Sequence, residues 1–200
     1  MPRPKATIWF AHGAGAGPES DFMTGVSEAL AGYGWPVHCV TFPFWQQVRK
    51  TGQKRPPDRP QVLDQHLLES ARQTDGPIVV MGKSMGARVA FRVADQVPAL
   101  AAIGLGFPFH PPGRPGQHRL TELPNHRRRN LILHGTRDPF GKPDWLQAQS
   151  LPENLELRWF AGGDHDLKRT RKMQPDPTER FAEIAEFITC WLQEHYFDAT

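Results

Sequence analysis

The 200-residue sequence contains few cysteines and no long apolar run, and both shortages exclude classes of protein. With only Cys39 and Cys190 the chain cannot form a disulfide-rich scaffold, and no C-x-x-C spacing is present for a zinc site. The longest early apolar run, from Ile8 to Ala11, is too short for a signal-peptide core or a membrane span. We therefore expect a soluble, cytoplasmic protein with no membrane partner and no bound metal.

An excess of charge of one sign is also absent. The 24 basic and 21 acidic residues leave a net charge of +3, a field too weak to indicate a nucleic-acid partner. A chain of this length buries roughly 70% of its unfolded surface and fits a single domain, which we expect to span residues 1–200.

Proline, by contrast, is abundant, with 20 residues, about twice the usual share. The prolines cluster at residues 56–60, 108–115 and 175–177, and such clusters mark loops. Short apolar runs lie between the loops: Ala6 to His12, Val37 to Phe42, Ile78 to Met81, Leu100 to Leu105, Asn130 to His134 and Leu155 to Phe160. Runs of this kind are typical of strands buried on both faces of a parallel sheet.

Helical patterns alternate with these runs, and the last helix is the most clearly marked. Asp176, Pro177 and Glu179 are expected to be its N-cap, first-turn proline and capping-box acid. Strand alternating with helix predicts an α/β fold, a doubly wound and mainly parallel sheet of about six strands with helices on both faces. In that architecture ligands bind at the carboxyl ends of the strands.

The segment after the third run, Gly82-Lys83-Ser84-Met85-Gly86, is a G-x-S-x-G motif between a predicted strand and a predicted helix. This is the context of a nucleophile elbow, in which a sharp turn exposes the serine hydroxyl. The alternative is an ordinary turn with Ser84 as a helix cap. A phosphate-binding loop is disfavoured, because it requires glycine at position 77, where the chain has Pro77.

A serine nucleophile needs a base and an acid that orients the base, in the chain order Ser, Asp or Glu, His. Asp138 and His165 follow Ser84 in that order, each just past a later predicted strand. Asp138 has the alternative role of a turn residue, and His165 that of a surface histidine. Metal binding by Asp164, His165 and Asp166 is disfavoured, because adjacent side chains seldom converge on one ion.

The oxyanion hole is expected to combine the amide after the nucleophile with one from the loop after the first strand. Met85 supplies the first amide, and Ala14, in the glycine-rich segment from His12 to Gly17, is the expected second donor. His12 itself is expected to brace this loop. The segment lacks the spacing of a dinucleotide-binding fingerprint.

Aromatic residues after two of the predicted strands are candidates for an acyl or aryl pocket. Phe44, Trp45, Phe109 and His110 are expected to line it, with packing of the strand ends as the equal alternative. Lys83 favours an anionic substrate if it reaches the site, although a surface position is the more usual one for lysine. The connection from Leu105 to Asn130 is too short for a folded cap domain. Its basic residues, His118 and His126 to Arg129, are more typical of a solvated loop than of a phosphate site.

The sequence resembles the small, capless α/β-hydrolases in five segments that occur in one order along nearly the whole chain: 11–16, 82–88, 106–113, 134–138 and 163–165. More narrowly, it resembles the bacterial branch related to the mammalian testis-expressed protein and to a subunit of the NSL chromatin complex. It is also similar to dienelactone hydrolase. The resemblance implies Ser84 as nucleophile, Asp138 as acid and His165 as base. The same three residues are predicted from their order in the chain and their positions after the predicted strands.

Together these patterns predict a serine hydrolase that cleaves an ester, a thioester or a related small acyl compound. We expect a small-molecule acyl substrate, no cofactor, and a monomer or homodimer. The alternative is a non-catalytic interaction or scaffold protein that keeps the fold, since some relatives act in that way.

Overall fold

The structure is a computed structural model that describes residues 6–123, 128–174 and 176–197. Its strands are β1 (Thr7–Ala11), β2 (Val37–Val40), β3 (Ile78–Lys83), β4 (Ala99–Leu105), β5 (Asn130–Gly135) and β6 (Leu155–Phe160). Its helices are α1 (Asp21–Gly32), α2 (Pro43–Thr51), α3 (Pro60–Ala71), α4 (Met85–Val93), α5 (Pro143–Gln147) and α6 (Glu179–Leu192).

The six strands form one sheet in the order β2-β1-β3-β4-β5-β6, and every neighbouring pair is parallel. β2 pairs with one edge of β1, and β3, which follows β2 in the chain, pairs with the other edge of β1. The loops after β1 and β3 therefore diverge and leave a crevice at the carboxyl ends of these strands. The predicted doubly wound α/β sheet of six strands is confirmed.

Helices cover both faces of the sheet, each above its own apolar core. On one face α1 and α6 pack against each other through side chains such as Val26, Leu30 and Ile188. On the other face α3 and α4 bury Leu67 and Val89. The central strands are buried on both sides, as predicted, and this double burial favours the β-branched and apolar residues of β3 and β5.

The prediction of two-sided burial is wrong for the edge strands. In β6 half-buried and exposed positions alternate as far as the buried Phe160, and in β2 only Val40 is buried. An edge strand has only one neighbouring strand and is covered less completely by helices, so solvent reaches some of its side chains on both faces.

The start of the last helix also differs from the prediction, since α6 begins at Glu179 with Thr178 as N-cap. The Asp176 carboxylate instead accepts hydrogen bonds from the Thr178 backbone N–H at 2.8 Å and the Thr178 hydroxyl at 2.6 Å. The Asp176 carboxylate is therefore used in a local turn and does not cap the helix. Pro177 consequently lies before the helix rather than in its first turn.

No cap domain occurs in the described parts of the β4–β5 connection, where a short 3-10 turn at Leu120–Glu122 is the regular element. His126 and Arg127 of the basic run lie outside the described residues, so the prediction of a solvated loop there stays untested. Within the described ranges, no helix combines the length and the apolar character needed to cross a membrane.

Candidate active site

Ser84 stands at the junction of β3 and α4, in a backbone conformation that L-residues rarely adopt. Its φ is 54° and its ψ is −113°. Such a conformation costs on the order of 1–3 kcal/mol and persists only where the surroundings enforce it. Here the Ser84 N–H donates to the Leu105 carbonyl at 3.0 Å, while the Ser84 carbonyl accepts from the Ala87 N–H at 3.0 Å. The turn is thus held to β4 on one side and to the first turn of α4 on the other.

Glycine on both sides of Ser84 is a packing requirement. A Cβ on Gly82 would overlap the backbone of Gly86 and Ala87. A Cβ on Gly86 would overlap the Ala11 carbonyl oxygen and lie 2.7 Å from the His12 carbonyl oxygen. The two glycines therefore let the start of α4 approach the end of β1, which places Ser84 beside the start of the loop after β1.

His165 bridges Ser84 and Asp138. The Ser84 hydroxyl lies 2.9 Å from His165 Nε2, and His165 Nδ1 lies 2.7 Å from Asp138 Oδ2. A carboxylate accepts, so the proton belongs on Nδ1, and Nε2 is left to accept the serine proton. The structure therefore brings together three residues that are far apart in the sequence.

Asp138 is fully buried, and its other oxygen accepts the Phe140 N–H at 2.9 Å. Burial alone raises the pKa of such a carboxyl, but the hydrogen bond from His165, the nearby His134 and the Phe140 amide outweigh it and lower the pKa of Asp138. Asp138 is consequently ionised at neutral pH, as required to orient an imidazole.

The loop that carries His165 is fixed by its neighbours. Asp164 closes a turn, with its carboxylate accepting the N–H groups of Asp166 at 2.9 Å and Lys168 at 3.0 Å. The Phe140 ring packs on the His165 ring with centroids 4.4 Å apart. These contacts leave the imidazole little freedom away from Ser84.

Lys83 does not lie on the surface, which is the usual position for lysine. Its side chain is 8% exposed, and its Nζ lies 3.1 Å from Asp166 Oδ1 beneath the His165 loop. Burial lowers the pKa of Lys83, while the carboxylates of Asp166 and Asp138 act in the opposite direction. Lys83 thus ties the elbow to the loop that carries the histidine.

His134, at the end of β5, is a site residue that the motifs did not reveal. It is fully buried, its Nε2 donates to the Gly141 carbonyl at 2.9 Å, and Nε2 lies 3.6 Å from Asp138 Oδ2. Burial lowers the pKa of His134 to about 4. The sequence signal for His134 is its place at the end of a predicted strand, four residues before Asp138.

Met85 and Ala14 both line the cavity at Ser84. Met85 is the first residue of α4, and the N–H of a first helical residue has no partner within its own helix. His12 braces the Ala14 loop: its Nδ1 donates to the Gly13 carbonyl at 2.7 Å and its Nε2 accepts the Phe42 N–H at 3.2 Å.

The cavity has a volume of about 310 Å³ and a mixed apolar and charged wall. It is lined by Ala14, Pro57, Asp58, Pro60, Leu63, Ser84, Met85, Arg88, Arg92, Pro108, Arg119 and Phe140. Arg88 and Pro108 lie in two of the five segments named above. The other charged and proline residues of the lining come from segments that no motif connected with Ser84: Pro57, Asp58, Pro60, Arg92 and Arg119.

The five residues expected to bind substrate do not line this cavity, because their side chains contact other parts of the protein. Phe44 and Phe109 are fully buried core side chains, in line with the strand-end packing alternative. Trp45 packs on His12 and donates to Glu19 at 2.8 Å. His110 lies edge-on to the Trp145 ring with centroids 4.6 Å apart, and Lys83 is turned toward Asp166.

Within the described ranges, no group of three or more His, Cys, Asp or Glu side chains is arranged to hold a metal ion.

A doubly wound sheet with a strained serine at a strand–helix turn and a Ser–His–Asp hydrogen-bond chain defines the class of α/β-hydrolases. The family model described as "Alpha/beta hydrolase domain" matches residues 4–193, and the chain belongs to this family.

Solved structures share the fold. A protein of the alpha/beta hydrolase superfamily from Xanthomonas campestris pv. campestris is 24% identical, with 92% of this chain and 99% of that chain covered and a TM-score of 0.61. Dienelactone hydrolase from Anabaena variabilis is 17% identical, with 98% and 89% covered and a TM-score of 0.65. An α/β serine hydrolase without lid from Xanthomonas campestris is 17% identical, with 96% and 86% covered and a TM-score of 0.63. No curated protein matches the sequence significantly.

Proposed function

We propose that the protein is a serine hydrolase that cleaves an ester, a thioester or a related small acyl compound through an acyl-enzyme. The observation that carries the proposal is the chain of two hydrogen bonds, 2.9 Å and 2.7 Å long, from Ser84 through His165 to the buried Asp138. An ordinary capping serine needs neither an imidazole on its hydroxyl nor a backbone conformation that exposes it.

In the proposed mechanism Ser84 Oγ attacks the acyl carbonyl carbon while its proton passes to His165 Nε2. Asp138 keeps the imidazole in the tautomer that can accept this proton and stabilises the imidazolium that forms. The Met85 and Ala14 amides are the proposed donors to the oxyanion. The intermediate collapses as His165 protonates the leaving group, and a water molecule, deprotonated by His165, then releases the acyl group from Ser84.

Labelling with a fluorophosphonate probe tests the proposal directly, because the probe reacts with an activated serine and requires no knowledge of the substrate. The wild-type chain is expected to react rapidly and stoichiometrically, and Ser84→Ala not at all. Ser150→Ala, which removes a serine outside the cavity lining, is the matched control. A wild-type chain that reacts no faster than Ser84→Ala would overturn the proposal in favour of a non-catalytic interaction protein.

Three finer statements accompany the proposal. On the five segments quoted above, we assign the chain to the bacterial branch related to the mammalian testis-expressed protein and the NSL-complex subunit. We also propose a cytoplasmic location, and a monomer or homodimer in solution. Size-exclusion chromatography with light scattering tests the last statement, which a higher oligomer would contradict.

A further inference from the structure

The cavity beside Ser84 contains three arginines, and their hydrogen-bond partners distinguish them. Arg88 makes a two-pronged pair with Glu122, from Nε at 2.7 Å and from Nη2 at 2.5 Å. Arg92 makes an equivalent pair with Asp64, from Nε at 2.9 Å and from Nη2 at 2.6 Å. Both guanidinium groups are therefore already matched by a carboxylate of the protein.

Arg119 is the third, and it has no such match. Its Nη1 donates to the Pro108 carbonyl at 2.8 Å, and within the described ranges no carboxylate accepts a hydrogen bond from it. A guanidinium carries five N–H donors in a planar fork, so most of the Arg119 fork remains available. Burial and the positive charge of Arg88 lower the pKa of Arg119, while the carboxylate of Glu122, which is hydrogen-bonded to Arg88, acts in the opposite direction. An arginine stays charged at neutral pH.

Arg119 is also held in place. Its backbone N–H donates to the Phe109 carbonyl at 2.7 Å while its side chain bonds the carbonyl of Pro108, so both ends are fixed to the segment that follows β4. Pro108 and Arg119 both line the cavity with Ser84. A rigidly held cation loses little conformational entropy when an anion binds.

The cavity also contains the carboxylate of Asp58, which an anion has to avoid. Asp58 Oδ1 lies 3.8 Å from Arg55 Nη2, so Arg55 offsets its charge. Asp58 Oδ2 is buried without a hydrogen-bond partner. An incoming anion is therefore directed away from Asp58 and toward the Arg119 fork.

We propose that Arg119 is a specificity-determining residue that binds a carboxylate of the substrate, so that the preferred substrate is an ester or thioester bearing an acid group near the scissile carbonyl. This inference rests on the proposed function. A planar fork and a carboxylate form two parallel N–H···O bonds, which is the geometry for which arginine is better suited than lysine. Long uncharged acyl chains would leave the Arg119 charge unpaired in the occupied cavity.

The test compares acids with neutral counterparts of the same shape. Methyl hydrogen succinate is paired with methyl levulinate, which places the acid on the acyl side. Acetoxyacetate is paired with acetoxyacetone, which places it on the leaving group. For at least one pair we expect kcat/KM for the acid to exceed that for the neutral ester by about tenfold or more, the effect of a charge-assisted pair.

The variants separate the fork from charge in general. Arg119→Gln is expected to abolish the preference, measured as the ratio of kcat/KM for the acid to kcat/KM for its neutral counterpart, and Arg119→Lys to retain part of it. Arg114→Gln removes an exposed charge of the same loop and is expected to keep the full preference. A wild type without preference for either acid, or an Arg119→Gln chain that keeps it, would overturn the proposal.

A binding readout keeps this proposal distinct from the proposed function. In Ser84→Ala, which cannot turn over, methyl hydrogen succinate or acetoxyacetate is expected to raise the Tm, and adding Arg119→Gln is expected to remove the shift. No shift with either acid in Ser84→Ala contradicts the proposal. A shift that depends on Arg119 in a chain that fails to react with fluorophosphonate would support the anion site and overturn hydrolysis.

Discussion

Replacing Gly86 by alanine tests whether the close approach of the elbow at Ser84 to the loop that carries Ala14 determines both stability and reactivity. The added Cβ would overlap the Ala11 carbonyl oxygen and lie 2.6 Å from the Ala11 carbonyl carbon and 2.7 Å from the His12 oxygen. Since ordinary contacts of this kind are about 3.5 Å, the start of α4 and the end of β1 must separate by roughly 1 Å.

Two magnitudes follow from that separation. Overpacking a tight junction costs about 1–3 kcal/mol, and the neighbours here are backbone atoms that cannot rotate away, so we expect a loss of unfolding free energy near the upper end. The same movement draws Ala14 away from Met85. Misplacement of reacting groups by about 1 Å costs on the order of 100-fold in rate, which is the decrease expected in the rate of fluorophosphonate labelling.

Urea denaturation gives the change in unfolding free energy, and time-resolved labelling gives the rate. Gly15→Ala is the control, because it adds a Cβ in the same loop where nothing lies within 4 Å. It is expected to change stability by less than about 0.5 kcal/mol. If Gly86→Ala matched Gly15→Ala in both measurements, the steric argument would be refuted.

Three further predictions concern the triad and its surroundings. Ser84→Gly is expected to be more stable in urea than Ser84→Ala by about 1 kcal/mol, because glycine adopts the positive φ without strain; equal midpoints would contradict the strain. Asp138→Asn is expected to lower kcat about 10³- to 10⁴-fold while the chain stays folded by circular dichroism, because an amide does not select the tautomer of His165 that accepts a proton; a loss below tenfold would contradict it. The folded pKa of His134, about 4, lies below its unfolded value of 6.5, so its contribution is complete above pH 6.5 and falls by about 3 kcal/mol as the pH drops toward 4. In urea titrations His134→Gln is expected to flatten this part of the stability profile, and an unchanged profile would assign the loss to other groups.

The fold was largely predictable because its signals are local. Runs such as Ile78 to Met81 are apolar without alternation, and this pattern is produced by burial on both faces of a central strand. The same rule fails for β2 and β6, because nothing within a strand's own residues records that it has only one neighbour.

The candidate triad was predictable for a different reason. Ser84 is marked by glycines that the turn requires, and the chain order Ser, Asp, His then reduces the choice of partners. The residues that line the cavity have no such marker in the sequence, which predicts a pocket only from aromatic residues near strand ends. Phe44 and Phe109 follow the pattern of pocket residues and yet fill the core, because an aromatic side chain packs equally well in either place.

The sequence alone thus determined the class of sheet, the elbow at Ser84 and the candidate partners Asp138 and His165, since each depends on residues close together in the chain. Only the tertiary structure decided that Lys83 is buried and that Arg119 points into the cavity with its fork unmatched. Burial and pairing are properties of a side chain's surroundings in space. Those surroundings are supplied by segments far apart in the sequence, such as the loop after β4 and the residues that precede α3, and they exist only once the sheet has brought the segments together.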